Sequence, residues 1–183
     1  MKKVFVLTTA LLVLAGIAPN VRAESYLTPY AGVAFSGKTD ASKLTFGGDL
    51  AFAGHGILGA SVDFGYTKDF FGNTAPIGDN NVTTLMGNLM LISPGHPRIY
   101  ASGGVGLMKT RVKDTAGFFD IGSSDFGFNV GGGIYVVGRG PLGFRADIRY
   151  FRTLTDPQPD GEFDVDLGNL DYWRATAGIT LKF

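Results

Sequence analysis

The stretch 144–151, FRADIRYF, alternates strictly between two kinds of side chain. One parity is apolar and comprises Phe144, Ala146, Ile148 and Tyr150. The other parity carries the charges and comprises Arg145, Asp147 and Arg149, followed by Phe151. Because successive side chains of a β-strand point to opposite faces, a period of two residues indicates a strand. The stretch therefore predicts a strand with one apolar face and one strongly charged face.

The same alternation recurs along the chain and predicts eight strands. They cover approximately residues 26–36, 43–53, 57–68, 82–92, 98–109, 124–137, 143–152 and 169–183. Each is close to the ~9–11 residues that a tilted strand needs to cross a bilayer. The sequence shows no helical periodicity, and its 28 glycines would destabilise helices.

The predicted connections differ in length in a regular way. Those after the second, fourth and sixth strands are short, at 54–56, 93–97 and 138–142, whereas the others are mostly longer and polar, at about 37–42, 69–81, 110–123 and 153–168. Short periplasmic turns and longer outer loops are typical of outer-membrane barrels. We therefore predict an all-β fold, an eight-stranded antiparallel up-and-down transmembrane β-barrel, with both termini in the periplasm.

The N-terminal segment has the features of a secretory signal peptide. Lys2 and Lys3 precede an apolar run over 4–17, and Val21-Arg22-Ala23 supplies small residues at the expected cleavage positions. We expect residues 1–23 to be removed and residues 24–183 to form one barrel domain. The alternative is an uncleaved N-terminal anchor, which the shortness of the apolar run disfavours.

Composition excludes several classes of function. Without Lys2, Lys3 and Arg22, the 16 basic residues fall to 13 against 16 acidic ones, which leaves no basic surplus for nucleic acid. The absence of cysteine excludes disulfides and thiolate chemistry. Aromatic residues make up 13% of the chain, too many for a disordered glycine-rich segment.

Two arrangements of the faces are compatible with a barrel. A soluble, lipocalin-like barrel would hold its apolar face inside, whereas a membrane barrel inverts this polarity. Export by a signal peptide and the abundance of glycine on the polar face favour inversion. Aromatic residues on the apolar face near strand ends, where an interfacial girdle would lie, favour it too. These residues are Phe35, Tyr66, Tyr150 and Trp173.

Inversion places six charged side chains inside the barrel, three of each sign. They are Asp49, Asp63, Arg145, Asp147, Arg149 and Arg174. Because buried charges are costly unless they are paired, we predict an internal salt-bridge network. We expect Tyr30, Asn88, Tyr100 and Asn129 to extend it. A structural plug is favoured over the alternative, a charge-selective filter, since eight strands enclose a lumen that side chains nearly fill.

A second group of charges falls on the lipid-facing parity near the outer rim. It comprises Lys68, Lys109, Arg111 and Arg152. Lysine and arginine at that height could contact the phosphates of lipopolysaccharide. Ordinary solubility at the bases of the loops explains the same residues equally well.

The remaining motifs are weak. Residues 54–59 and 138–143 match G-x-G-x-x-G, but strand-like alternation follows each match where a dinucleotide site requires a helix. His55 and His96 lie in predicted short turns, away from any serine-rich outer rim, so we expect no enzyme. The acidic residues of the last loop alternate with apolar ones, which favours a solvated strand face over calcium. They are Asp160, Glu162, Asp164 and Asp166. No metal or cofactor is predicted.

Several segments together resemble one family. Residues 100–106, YASGGVG, 128–134, FNVGGGI, and 144–150 are similar to the outer-membrane protein β-barrel family, which includes the opacity proteins and the transmembrane part of outer membrane protein A. Residues 175–183, ATAGITLKF, resemble the C-terminal signal that the barrel assembly machinery reads, with Phe183 last. Since no periplasmic peptidoglycan-binding domain follows, we do not expect a cell-wall tether.

The resemblance implies a location in the outer membrane of a Gram-negative-type bacterium, among lipids and lipopolysaccharide. We expect a protein of the porin-like superfamily, a membrane scaffold whose loops serve adhesion or interaction with the environment, because binding residues often lie on loops held by a rigid scaffold. Partners would then be host or surface ligands. The alternative is a narrow passive channel for ions or small solutes.

Overall fold

In the computed structural model, residues 24–39, 41–53, 57–72, 77–114, 120–138, 140–154 and 170–183 are described. They form eight strands: β1 (Glu24–Phe35), β2 (Lys43–Ala53), β3 (Leu58–Lys68), β4 (Ile77–Ile92), β5 (Arg98–Asp114), β6 (Asp120–Val137), β7 (Leu142–Thr153) and β8 (Asp171–Lys182). The predicted signal peptide, 1–23, lies outside the described residues.

Each strand pairs antiparallel with the next, and β8 pairs with β1, so the sheet closes into a barrel. The predicted eight-stranded antiparallel barrel is thus confirmed. The start of β1 and the end of β8 meet at one end of the barrel, where the Ser25 and Phe183 backbones exchange hydrogen bonds of 3.1 and 3.0 Å. This end, which also holds the short turns, is called the terminal end, and the opposite one the loop end. Among the described residues, no helix is long and apolar enough to cross a bilayer.

Three strands reach further toward the loop end than predicted. β4 begins at Ile77, β5 ends at Asp114 and β6 begins at Asp120. The predicted loops 69–81 and 110–123 were therefore too long. Alternation marks a strand only where its two faces meet different surroundings, whereas backbone pairing requires no such difference. The Lys113–Asp120 pair shows that the ladder continues where the sequence pattern has ended.

The barrel wall is apolar outside and polar inside. Outward-facing Leu89 is 74% exposed, whereas inward-facing Asp49 and Arg149 are fully buried at 0%. Exposed leucine, valine, isoleucine and phenylalanine recur on all the strands, as far as they are described. Such a continuous apolar surface is unfavourable in water but matches the hydrocarbon core of a bilayer. This polarity rules out the soluble, lipocalin-like alternative and makes the chain a membrane-spanning barrel.

Glycine makes room for the large side chains of the lumen. A Cβ atom at Gly65 would lie 2.2 Å from Arg174 Nη1 and 3.2 Å from the Tyr30 hydroxyl. A Cβ atom at Gly133 would lie 2.7 Å from the Tyr100 hydroxyl. Because real Cβ atoms do not approach other atoms below about 3 Å, these wall positions require glycine for space. The high glycine content thus reflects a narrow, filled interior.

Candidate functional site

The middle of the lumen holds a cluster of four charged residues. β7 presents Arg145, Asp147 and Arg149 to the interior, and β2 supplies Asp49 from the other side. Arg145 contacts Asp49 at 2.7 Å and Asp147 at 2.6 Å. Arg149 contacts Asp147 at 3.1 Å and Asp49 at 3.7 Å. Two guanidinium groups thus share two carboxylates, so opposite charges compensate one another within the buried cluster.

A second ion pair joins β8 to β3. Arg174 Nη2 donates to Asp63 Oδ1 at 2.6 Å, and both side chains are buried. The Arg174 guanidinium also lies 4.5 Å from the centre of the Phe151 ring and 5.2 Å from that of Tyr30. Cation–π contacts of this kind strengthen when water is excluded. The structure therefore brings all six predicted lumen charges together, in two groups.

Neutral polar groups connect to these ion pairs. The Tyr100 hydroxyl donates to Asp147 Oδ2 at 2.8 Å and accepts from Arg145 Nε at 2.7 Å. Asn129 Nδ2 donates to Asn88 Oδ1 at 2.7 Å. The Tyr30 hydroxyl donates to the Phe64 carbonyl at 2.9 Å and also interacts with the Asp63 carboxylate, and the Tyr30 ring faces the Arg174 guanidinium. All four predicted neutral residues thus lie in the lumen, and Tyr100 and Tyr30 interact with the charged groups.

The terminal end is sealed by aromatic residues. The rings of Tyr26 and Tyr135 stack at 5.3 Å, and Tyr100 lies 5.0 Å from Tyr135. The Arg145 guanidinium covers Tyr100 and Tyr135 from the lumen side, at 5.3 Å from each ring. Buried aliphatic residues complete this terminal seal. They are Ala51, Ala53, Met90, Ile92 and Val137.

An ionic cap lies beside the terminal seal. The Glu24 carboxylate accepts hydrogen bonds from Arg98 Nη1 at 2.7 Å, from Lys182 Nζ at 2.5 Å and from the Tyr26 hydroxyl. Glu24 begins β1, Arg98 begins β5 and Lys182 ends β8, so the cap joins opposite sides of the closed barrel. Sequence reasoning missed this cap, although all three charges fall at strand ends.

A second seal closes the loop end. The rings of Phe151 and Tyr172 stack at 5.1 Å, and Phe70 packs edge-on against Tyr172 at 4.9 Å. Phe70 belongs to the connection after β3, yet it is fully buried at 0% exposure. The remaining buried members of this loop-end seal are Ala34, Val82, Met86, Met108 and Leu170. Sequence reasoning missed both seals, although Phe151 and Tyr172 fall on the polar parity of their strands as apolar or aromatic exceptions.

The connection that carries Phe70 is held by Asn80. The Asn80 side-chain oxygen accepts from the Phe71 N–H at 2.8 Å, and its Nδ2 donates to the Gly72 carbonyl at 2.7 Å. Asp69 adopts a left-handed backbone with φ of 52°, a conformation that aspartate tolerates better than most residues. These contacts fold the connection inward and fix the phenylalanine over the mouth of the barrel.

The four outward cations do not form one group. Lys68 and Arg111 both pair in register with Asn81 of β4, and Lys109 pairs with Thr83 of the same strand. Arg152 pairs instead with Phe128 and Asp171 on β6 and β8. All four side chains are exposed. The structure therefore groups Lys68, Lys109 and Arg111 on one side of the barrel and separates Arg152 from them.

Comparison with known proteins identifies the fold. No family model matches the chain, and no curated protein matches it by sequence. Among solved structures, Neisserial surface protein A is similar with a TM-score of 0.65 at 16% identity, covering 87% of this chain and 97% of that one. The chain has the fold of the outer-membrane β-barrels. At this level of identity the likeness establishes the fold alone.

Two further barrels show the same relationship. A major outer membrane protein from Thermus thermophilus aligns with a TM-score of 0.57 at 15% identity, over 87% of this chain and 99% of that chain. Ail, the attachment invasion locus protein of Yersinia pestis, in complex with the heparin analogue sucrose octasulfate, aligns with a TM-score of 0.51 at 16% identity, over 87% of this chain and 99% of that chain.

The outer-membrane barrel fold accounts for the remaining sequence motifs. The two G-x-G-x-x-G matches lead into β3 and β7, which are strands, as the sequence reasoning anticipated. Phe183 is 72% exposed at the terminal end, where it closes the β8–β1 seam through its backbone. His96 is exposed in the turn after β4. His55 and the acidic loop residues lie outside the described residues. The latter are Asp160, Glu162, Asp164 and Asp166.

Proposed function

We propose that this protein is a sealed outer-membrane barrel of the porin-like superfamily that serves as a scaffold for surface interaction. In this proposal, a signal peptide directs export, and the barrel lies in the outer membrane of a Gram-negative-type bacterium with its loop end outward. The longer predicted connections at that end support this orientation, since outer loops exceed periplasmic turns in such barrels.

The observation that carries the proposal is the presence of a seal at each end of the lumen. A hydrated ion would have to pass between Tyr26, Tyr100 and Tyr135 at one end and beneath Phe70 and Tyr172 at the other. An ion that passes an apolar constriction must lose its hydration shell without gaining polar partners, which costs free energy. Hydrophobic constrictions block conduction for this reason. The ion pairs between the seals have no unbalanced charge to attract a permeating ion. The seals therefore favour a scaffold over the alternative, a narrow passive channel.

A rigid barrel with a closed lumen leaves the loop end as the surface for binding. Functional residues concentrate on loops that a stable scaffold positions. The likeness to Ail, which is described as an attachment invasion locus protein, supports adhesion as the kind of role. We accordingly propose a host or environmental surface ligand as the partner of the loops. We propose no catalytic activity, in keeping with the predicted position of both histidines in short turns.

Two further partners belong to this proposal. The barrel assembly machinery would recognise the C-terminal run that ends in Phe183, and outer-membrane lipids, lipopolysaccharide among them, would surround the apolar wall. Export is checked by the intact mass of the protein recovered from the membrane. We expect the mass of residues 24–183, and a retained N-terminal segment would contradict cleavage after Ala23.

Conductance of the protein extracted from outer membranes tests the central point. In a planar bilayer we expect the wild-type protein to insert and remain silent. Reproducible discrete openings of the wild-type protein would overturn the sealed scaffold and favour the channel.

Adhesion tests the role of the loops separately. We propose replacing residues 155–169, the last loop, with a short glycine-serine linker in cells that display the protein, with an empty-vector strain as the baseline. Binding of these cells to host cells or matrix is then compared with binding of wild-type cells at equal surface expression. A loss of binding is expected, and equal binding would exclude this loop as the ligand surface.

A further inference from the structure

Three cations at the loop end form a compact patch, here called the loop-end cation cluster. Lys68 lies on β3, and Lys109 and Arg111 lie on β5, with β4 between them. Because neighbouring strands are about 4.8 Å apart, the Lys68 and Arg111 backbones are about 10 Å apart. Lys109 and Arg111 are two residues apart on one face, or about 7 Å. Flexible side chains on these three positions can converge on one anion.

The cluster lies at the edge of the apolar belt. Tyr66 on β3 and Leu107 on β5 are the next outward side chains, each two residues closer to the terminal end than Lys68 and Lys109. Both are exposed. On β4 the outward sequence runs from Leu85 to Thr83 and Asn81, which separate the cations. The surface therefore changes from apolar to cationic within one or two residues. That boundary is where the hydrocarbon of a bilayer gives way to headgroups.

Among the side chains that the structure describes, little negative charge lies close to the cluster. The ion pair described for it is the 3.9 Å contact of Lys68 with Asp69, in which the lysine side chain stays 67% exposed. No ion pair of Lys109 or Arg111 occurs among the described side chains, which do not include those of 77–79, 112–114 and 120–123. Like charges held about 10 Å apart on one face repel each other, and an anion bound between them removes this repulsion. Asn81 and Thr83, with an amide and a hydroxyl between the cations, add neutral donors for such an anion.

We infer that the loop-end cation cluster binds the phosphate groups of a phosphorylated lipid headgroup in the leaflet around the loop end. Arg111 matches phosphate geometry through paired N–H donors, and the two lysines add point charges. The acyl chains of the same lipid lie on the belt beneath, over Leu85 and Leu107. Lipopolysaccharide carries this combination of phosphate and acyl chains. The inference rests on the proposed outer-membrane location, but not on the sealed lumen or on a loop ligand.

Arg152 does not belong to this site. It is exposed like the cluster residues, but Asp171 lies opposite it in register and supplies local negative charge. Arg152 lies two strands away from Lys109, because β6 separates β5 from β7. On β6, the partner of Lys109 is Ser124 and the partner of Arg152 is Phe128, four residues further along. The two backbones are therefore about 16 Å apart. Arg152 therefore provides a matched control, a cation at the same end of the barrel outside the cluster.

The test measures lipid binding by the full protein extracted from outer membranes and exchanged into a mild detergent. Three proteins are compared, namely wild type, K68Q/K109Q/R111Q and R152Q. Each is titrated with diphosphorylated lipid A and with the same lipid after removal of its phosphates. Native mass spectrometry measures the fraction of protein that carries lipid. With a contribution of about fivefold from each charge near a headgroup, we expect the triple variant to bind phosphorylated lipid about 100-fold more weakly. R152Q should stay within about twofold of wild type, and wild type should lose its preference once the phosphates are removed.

Two outcomes overturn the inference. The first is equal binding by the triple variant and wild type, and the second is equal losses in the triple variant and R152Q. Inorganic pyrophosphate at millimolar concentration distinguishes a free anion from a lipid headgroup, because complete displacement of the lipid would assign the site to free phosphate. A K68R/K109R variant retains the charges and should retain binding, which ties the loss in the triple variant to charge and not to the altered side chains; the unchanged electrophoretic shift of the folded barrel on heating checks that the triple variant is folded. The assay measures neither conductance nor adhesion. The lipid-binding inference can therefore be confirmed while the proposed scaffold function is refuted, and the scaffold function can be confirmed while lipid binding is refuted.

Discussion

Arg174 of β8 reaches Asp63 of β3 at 2.6 Å, and this pair joins two strands that do not touch each other in the sheet. Both side chains are buried, so neither charge has water to replace its partner. Removing one member of such a pair leaves an uncompensated charge and costs about 3–5 kcal/mol. Removing both members costs less, since no buried charge then remains.

The Asp63–Arg174 pair therefore predicts strong coupling in a double-mutant cycle. We expect D63N and R174M each to lower the free energy of unfolding by about 3 kcal/mol, and the double variant to lose clearly less than the sum. Urea unfolding in lipid vesicles measures all four proteins. Additive losses would mean that the two charges do not depend on each other, against the geometry.

A second prediction concerns the space that glycine leaves in the wall. A methyl group at Gly65 would meet Arg174 Nη1 at 2.2 Å and the Thr84 hydroxyl at 2.8 Å, whereas at outward Gly87 the nearest atom lies at 3.9 Å. We expect G65A to lower the free energy of unfolding by about 1–3 kcal/mol, because the pinned Arg174 has no free space to enter. G87A is the matched control and should be neutral or slightly stabilising. Equal effects of the two variants would contradict a tightly filled lumen.

The pattern of the sequence was sufficient for the barrel and for the charges of its lumen. Where a strand faces lipid on one side and the lumen on the other, as at 144–151, alternation reveals both the strand and the direction of each side chain. Parity then placed Asp49 and Arg174 inside without knowledge of their partners. The ends of β4, β5 and β6 escaped because alternation stops there while the backbone ladder continues.

The seals and the ionic cap could not be predicted in the same way. Phe70 follows a predicted strand, where alternation no longer indicates the direction of a side chain. Only the folded connection brings it over Tyr172. Glu24, Arg98 and Lys182 come from three strand ends that meet when the barrel closes. Each of these contacts joins segments that are far apart in sequence and meet only when the barrel closes. A local sequence pattern contains no information about which distant segments will meet.

Removing Phe70 tests the loop-end seal. The side chain is fully buried against Tyr172 and Phe151, so we expect F70A to lower the free energy of unfolding by about 3 kcal/mol. F64A removes an outward phenylalanine from the lipid-facing belt and should cost less. In a planar bilayer F70A should remain silent, because the terminal seal of Tyr26, Tyr100 and Tyr135 stays in place. Openings in F70A alone would show that the terminal seal does not block the lumen.

The Glu24 cap predicts a stability term that depends on salt. Its members, Glu24, Arg98 and Lys182, keep about a quarter to a third of their side-chain surface exposed, unlike the lumen ion pairs. Solvent therefore weakens these contacts, and we expect E24Q to lower the free energy of unfolding by only about 1 kcal/mol. Because exposed charges are screened by salt, the difference between wild type and E24Q should shrink between 50 mM and 1 M NaCl. The D63N loss should change little over the same range, since Asp63 is buried, and this contrast separates the cap from the lumen. A salt-independent E24Q effect would mean that Glu24 acts through packing against Tyr26 and not through its charge.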